Sequence, residues 1–548
     1  MDKILINGAI YTMDPETPQA EAIAVSNGLI HAVGTTKEIL SFKGQDTEII
    51  DLKGRMLLPG LIDAHCHPAM SAYFFNALQL DEEMSLDKIL DALREYVEAH
   101  PEKESYFGTG YNELCFAHRE YSTELLDQIC SDKPIFLSSS GCHSAWANSC
   151  TFKQAGITPS TPDPIPGFQY FEKNADGELT GHVVETEAES MIYRAINFFD
   201  VETLAQSYRQ IASEFSQLGI TTLVGCGNFD WMKDLPYEIA DDLMQKGELN
   251  VRIFDCAFLE NLNRKGASLE DLRRLSKRYN SDRLRVNTYK LIMDGTFESA
   301  SACVYEEYIP GHKPIPPLLE GKELEALFLQ VASEGYDIHA HGIGNYAIRE
   351  ILRGAEAVRK SGYNDTRITC AHTQYVSRED RCRFGELDVI ANTTGGWHYW
   401  YPGIHDIMGT AAADGFTLKE IIESGAIMTI GSDRPADEVG FDPRMEIVTA
   451  MTRKYVDFLD DPNQPSLPPD DQKLSLRECL EAYTVNAAHQ IHMDGKLGQI
   501  RKGAYADLCL FREDMFKLSP REILENPLEM TMLEGTIVYQ NETVKKTL

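Results

Sequence analysis

"LLPGLIDAHCHPAM", residues 57–70, is an apolar run that stops on two histidines one residue apart. Residues two apart in an extended strand share a face, so His65 and His67 converge at the C-terminal end of a buried strand. In a barrel of alternating strands and helices, that end is the catalytic face. Downstream the alternation continues. Short β-branched runs at 219–227, 250–258, 286–295, 336–342, 367–372, 387–395 and 426–433 are separated by amphipathic stretches such as "ELEALFLQVASEG" and "YAIREILRGAEAVRKSG". With the strand at 57–66 they give eight strands in βα order, which predicts an α/β fold, a (β/α)8 TIM barrel. Residues from about 70 to 205 break the rhythm and read as a large insertion after barrel strand 1.

The two chain ends have a different texture. "KILINGAIYTM", "EAIAVSNGLIHAVG" and "TEIIDLKGRMLLPG" alternate apolar runs with turn signals, and the Asn7-Gly8 and Asn27-Gly28 pairs predict hairpins. "ADLCLFRED" and "TMLEGTIVYQNETV" repeat the style near the other end. Residues 1–57 and 495–548 are therefore expected to form one small β-sandwich beside a barrel over 58–494.

Composition narrows the function classes. Against 51 Lys+Arg stand 85 Asp+Glu, a formal charge of -34 over 548 residues, which repels nucleic acid and anionic membrane surfaces. The start "MDKILINGAIYTMD" has no basic-then-apolar leader pattern, and no stretch of about 18 apolar residues occurs, so a cytoplasmic protein is expected. The twelve cysteines include no Cys-x-x-Cys pair and read as reduced, mostly buried thiols.

Four more predicted strands carry a polar residue at or near their C-terminal ends: Lys290, His341, His372 and Asp433. Each has an ordinary reading alone, a snorkelling lysine or a turn-forming aspartate. Together, four imidazoles, a carboxylate and a lysine suit a divalent metal of the zinc, iron or manganese kind. His339 shares a strand face with His341 and is the competing ligand; it is expected to pack deeper.

These segments, with "SGCHSAWANS" (140–149), "DGELTGHVVETEA" (176–188), "AYTVNAAHQI" (482–491) and "KLGQIRKGAYADLCLF" (496–511), carry a resemblance over nearly the whole chain. The sequence resembles the amidohydrolase superfamily, and within it the N-substituted formamide deformylase-like branch of metal-dependent hydrolases. The resemblance implies that His65, His67 and Asp433 bind one metal and that His341 and His372 bind a second. It further implies a carbamate on Lys290 between them, with zinc as the expected metal at one or two ions per chain. The implied reaction is hydrolysis of a C–N bond in a small amide-like substrate, an N-substituted formamide or related amide, by metal-activated hydroxide. Asp433 would carry the proton to the leaving nitrogen, and His143 would hold the substrate carbonyl or the developing oxyanion. A homodimer is the expected assembly.

The branch typically carries a Gln-Pro pair with an aromatic after strand seven, whereas this chain has "TTGGWHYWYPG"; Trp397, His398 and Tyr399 are expected there as substrate contacts. Deamination, ester or lactone hydrolysis, and a catalytically inactive barrel with an assembly or regulatory role are the alternatives. The segment "HGIGN" offers no acidic residue to protonate a ring, which ranks amide hydrolysis above deamination.

Overall fold

The run at 57–66 is two strands in two different sheets, not the single strand its hydrophobicity suggests. Met56–Pro59 pairs antiparallel with Leu508–Phe511, and Leu61–Cys66 (β1) opens the barrel. Pro59 has no amide to extend a ladder, and a Cβ on Gly60 would meet the Thr221 side chain at 2.4 Å, so the chain changes sheets at this dipeptide. The computed structural model describes residues 1–541 apart from 82, 83, 117, 118, 199, 200, 261, 310, 312, 402 and 437–440, and at Val201 only the backbone. The last stretch of the expected chain-end unit, 542–548, lies outside the described residues.

After β1 come β2 (Ile220–Gly225), β3 (Arg252–Leu259), β4 (Leu284–Ile292), β5 (Asp337–Gly342), β6 (Ile368–His372), β7 (Val389–Thr393) and β8 (Met428–Ile430). Each pairs in parallel with the next in sequence, forming one eight-stranded sheet that curls into a barrel. The gap between β8 and β1 is bridged just beyond β8. Asp433 N donates to His65 O at 2.7 Å, His67 N donates to Arg434 O at 2.8 Å, and the buried Asp63 accepts from Ser432 N at 3.0 Å and Ser432 Oγ at 2.6 Å. Gly431 permits this approach, because a Cβ there would lie 2.2 Å from His65 N.

The chain ends build a sandwich. A four-stranded sheet (Leu29–Gly34, Ala22–Ser26, Lys3–Ile6, Glu48–Asp51) faces a six-stranded one that runs from Thr536–Gln540 through Leu528–Leu533, Leu508–Phe511, Met56–Pro59 and Ala9–Tyr11 to Gln19–Ala20. Leu5, Ile23, Leu57, Leu508 and Met530 share the core between them. Asn27-Gly28, at φ 52° and 76°, makes the expected hairpin between Ala22–Ser26 and Leu29–Gly34. Asn7-Gly8 does not, because only Asn7 has positive φ and a type I′ turn needs two such residues; the strands on its two sides enter different sheets.

Between β1 and β2 the insertion forms a further six-stranded sheet within residues 78–184. Tyr106, Leu137 and Trp146 are fully buried in its own core. Its turns at 142–143 and 185 reach the C-terminal mouth of the barrel. Among the described residues, no helix is long and apolar enough to cross a membrane.

Gly431→Ala should force β8 away from β1. We expect the urea midpoint to fall by the equivalent of about 1–3 kcal/mol, the usual cost of overpacking, together with loss of bound metal; an unchanged midpoint and metal content would remove this glycine from the closure.

Candidate metal centre and active-site cavity

Barrel geometry gathers the polar strand ends on one side. In register, Lys290 on β4 lies beside His339 on β5, Ile292 beside His341, and Gly342 on β5 beside His372 on β6. Lys290 therefore sits within its strand and not at its end, one layer below His341. The His65 ring centroid is 5.7 Å from His67, 4.8 Å from His339 and 4.8 Å from His372, and His341 is 4.4 Å from His372. Asp433 is the hub. Its Oδ1 lies 3.1 Å from His65 Nε2 and 3.4 Å from His67 Nε2, and its Oδ2 lies 4.0 Å from His372 Nδ1. His372 and Asp433 both adopt left-handed backbone, φ 69° and 55°, a strained placement that turns each side chain into the mouth.

This donor set fits a divalent ion. His65 Nε2, His67 Nδ1 and His372 Nδ1 are buried without a hydrogen-bond partner, although His65 Nε2 is close to the Asp433 carboxylate. One donor atom each from His65, His67 and Asp433 falls within a 4.8 Å cluster; a second triplet, His65 with Cys226 and His339, lies deeper. Burial pushes His65 down to about 3, with His339 and His372 well below the ordinary histidine value, so these rings are neutral and available as ligands. Burial by itself would raise the Asp433 carboxyl, but the imidazoles of His65 and His372 and contacts with His65 and His67 outweigh it and keep it ionised.

Supporting contacts fix the rings. His65 Nδ1 is 2.9 Å from His339 Nε2, and His341 Nδ1 is 3.1 Å from Asp294 Oδ1, which leaves His341 Nε2 facing the mouth. Asp294 also accepts the Ile343, Gly344 and Cys303 amides at 3.0, 2.8 and 3.0 Å, so it is rigidly held. Sequence reasoning assigned no role to Asp294, Cys226 or Glu185. The first stood four residues after Lys290 and the second near the C-terminal end of the predicted strand at 219–227, and those placements were the available signals.

His143 arrives from the insertion, its ring centroid 5.5 Å from His341. Its Nδ1 is 2.9 Å from Glu185 Oε2, and Glu185 Oε1 accepts from Ser301 Oγ at 2.7 Å. Gly295 makes room for this pair, since a Cβ there would sit 2.1 Å from Glu185 Oε1. Burial alone would lower His143, but the Glu185 carboxylate overrides it and raises the imidazole to about 9; burial likewise opposes the Glu185 charge, and His143 holds that carboxyl below its ordinary value.

Above the centre opens a cavity of about 330 Å³, bounded by His143, His341 and Asp433 at its floor and by Trp397, Tyr399, Trp400 and Tyr401 along one wall. Trp397 stacks on His372, centroids 5.2 Å apart and planes 13° apart. His398 corrects the sequence expectation: it is fully buried, its Nε2 is 2.8 Å from Thr393 Oγ1 and its ring packs on Phe416. Successive side chains diverge around the short turn at Gly395–Trp397, so His398 points into the core while its neighbours face the cavity.

Residues 48–539 match the sequence profile of the amidohydrolase family. The exoenzymes regulatory protein AepA of Pectobacterium carotovorum is 30% identical over 402 residues, 72% of this chain and 85% of that protein. The N-substituted formamide deformylase of Arthrobacter pascens is 23% identical over 98% of each chain. Among solved structures, an uncharacterized metal-dependent hydrolase from Pyrococcus horikoshii superposes with a TM-score of 0.72 at 20% identity, covering 94% of this chain and 99% of that one.

Two outcomes check the supporting contacts. Asp294→Asn should weaken metal retention about 10–100-fold in chelator competition, the usual effect of losing a ligand's orienting carboxylate; unchanged retention would mean that His341 binds no metal. The stability from His143 pairing is complete below its ordinary value of 6.5 and is lost as pH rises through about 9, while that of Glu185 is present above its ordinary 4.5. The difference in urea midpoint between the natural chain and Glu185→Gln should therefore be largest between about pH 5 and 6.5 and shrink toward pH 9; a difference that grows with pH would contradict the pairing.

Proposed function

Because this chain belongs to the amidohydrolase family, metal-dependent enzymes that act on carbon–nitrogen bonds, we propose that it hydrolyses an N-substituted formamide or a related small amide, with zinc as its metal. The observation that carries this reading is the convergence of His65, His67 and His372 on Asp433 at the floor of an aromatic-walled cavity. In this reading His65, His67 and Asp433 would hold one ion and His341 and His372 a second, and Lys290, once its amine had added carbon dioxide and released a proton, would offer carbamate oxygens as further ligands. Lys290 is 2% exposed, and no ion pair engages it among the described residues, so carbamylation would give a buried, uncommitted side chain the oxygen donors that hard cations prefer.

When bound, the divalent ion supplies Lewis acidity and makes hydroxide available from water near neutral pH. The chain's own residues do the rest. Asp433 is ionised and faces the mouth, so it accepts the proton that the attacking water gives up and returns it to the leaving nitrogen. His143, held as an imidazolium by Glu185, donates to the carbonyl oxygen as negative charge develops there. Trp397 and Tyr399 flank the N-substituent and exclude water.

A regulatory barrel is the second reading, favoured by the name of the Pectobacterium relative. It gives no reason for the ends of β1, β5 and β6 and the segment after β8 to bring His65, His67, His341, His372 and Asp433 together. The deciding experiment is elemental analysis of zinc-supplemented protein alongside Lys290→Ala and Asp433→Ala, with formate release from N-benzylformamide as the assay. We expect close to two ions per chain, fewer in Lys290→Ala, and formate release reduced about 10²–10⁴-fold in Asp433→Ala, the range for losing a general acid–base group. Protein that retains no metal and releases no formate would favour the regulatory barrel.

A further inference from the structure

The cavity wall has a charge pattern that the hydrolytic reading does not use. Two carboxylates line it besides Asp433: Glu113, from the insertion, and Glu298, from the loop after β4. Among the described residues neither takes part in an ion pair, and no lysine or arginine lines the cavity. Glu113 is fixed by a hydrogen bond from Ser144 Oγ at 2.8 Å, and Glu298 accepts from its own backbone amide and, at 3.5 Å, from the Tyr401 hydroxyl. Crowding by the cavity wall raises the Glu298 carboxyl and the nearby charge of Glu113 raises it further, although the residue as a whole stands exposed at the rim. Among the described residues the one cation at the cavity, His143 at its floor, is already neutralised by Glu185.

Glu113 is half-buried and Glu298 is exposed, so water can reach both, and two like charges facing one cavity favour the entry of something positive between them. The remaining wall suits such a visitor. The faces of Trp397, Tyr399 and Trp400 attract a cation through their quadrupoles, and the exposed side chains of Leu114 and Phe458, 49% and 47% accessible, give the rim an apolar lip. The net charge of -34 draws cations toward the mouth and turns anions away.

We propose that the preferred substrate is an amide whose amine half carries a fixed positive charge on an aromatic or apolar frame, an aryl- or alkylammonium group held between Glu113 and Glu298 and against the Trp397–Trp400 wall, and that anionic amides are rejected. This rests on the amide-hydrolase reading for its reaction and on the cavity wall alone for its charge preference.

The test uses the full-length, metal-loaded protein and two isosteric substrates, N-benzylformamide bearing a para-trimethylammonium group and the same compound bearing para-tert-butyl. Binding of phenyltrimethylammonium, tert-butylbenzene and benzenesulfonate is followed in parallel by tryptophan fluorescence, since none of them is hydrolysed. We expect kcat/KM for the cationic formamide to exceed that of the neutral one by about tenfold or more, with benzenesulfonate binding weakest. Glu113→Gln and Glu298→Gln, singly and together, should bring the ratio toward one by lowering kcat/KM for the cationic formamide more than for the neutral one, at unchanged metal content. Equal or reversed preference in the natural chain would overturn the inference, as would a preference that survives both substitutions. If neither formamide is cleaved but phenyltrimethylammonium still outbinds tert-butylbenzene through Glu113 and Glu298, the charge preference stands and the formamide reading falls.

Discussion

Everything at the mouth depends on the contact that closes the barrel, where the segment after β8 lies against β1. Gly431 is where the two backbones come closest, and Asp63 ties Ser432 down through both its amide and its hydroxyl. Because Asp433 follows directly, the hydrogen bond from its amide to His65 O closes the barrel and also brings its carboxylate to the imidazoles of β1. Closure and site assembly are one event: a barrel opened at this seam would lose the hub of the metal cluster along with its last strand.

Burying so many polar groups is tolerable because most are neutral or paired, and the imidazole nitrogens left without a partner are those suited to a metal. His65, His339 and His372 are buried neutral, which avoids most of the desolvation cost of a charge. His143 and Glu185 are buried as an ion pair, completed by Ser301, and Glu185 adopts φ 70° to reach it. Strain of this kind persists only where the surroundings over-determine the geometry. Here the fixed strand ends of the barrel and the independent core of the inserted sheet supply that constraint from two sides.

Away from the mouth, the sandwich is anchored to the barrel by a buried charge cluster. Arg252 on β3 is fully buried and pairs with Asp507 at 2.8 Å and Glu534 at 2.8 Å, and it stacks on Tyr505. Both acidic partners lie near the C-terminal end of the sequence, so the ends of the chain close onto the barrel floor through a side chain that neither could leave unpaired without a large penalty.

The sequence by itself determined the strand order, the barrel and the residue types at the strand ends. Period-two placement of His65 and His67 and the repeated βα alternation are local properties, readable without neighbours. It also held the resemblance that brought Lys290, His341, His372, Asp433 and His143 forward as one set. What only the tertiary structure decided was direction and partnership. His398 and Trp397 are adjacent in the chain, yet one is locked to Thr393 in the core and the other stacks on His372, because a tight turn splits their directions. The run at 57–66 reads as one apolar strand but divides between two sheets, since burial looks the same in either. Glu113 and Glu298 carried no distinguishing pattern as letters, and Asp294 and Glu185 had only a place inside quoted motifs; their meaning comes from segments far apart in sequence that the barrel and its insertion bring to one mouth, and no local periodicity encodes that distance.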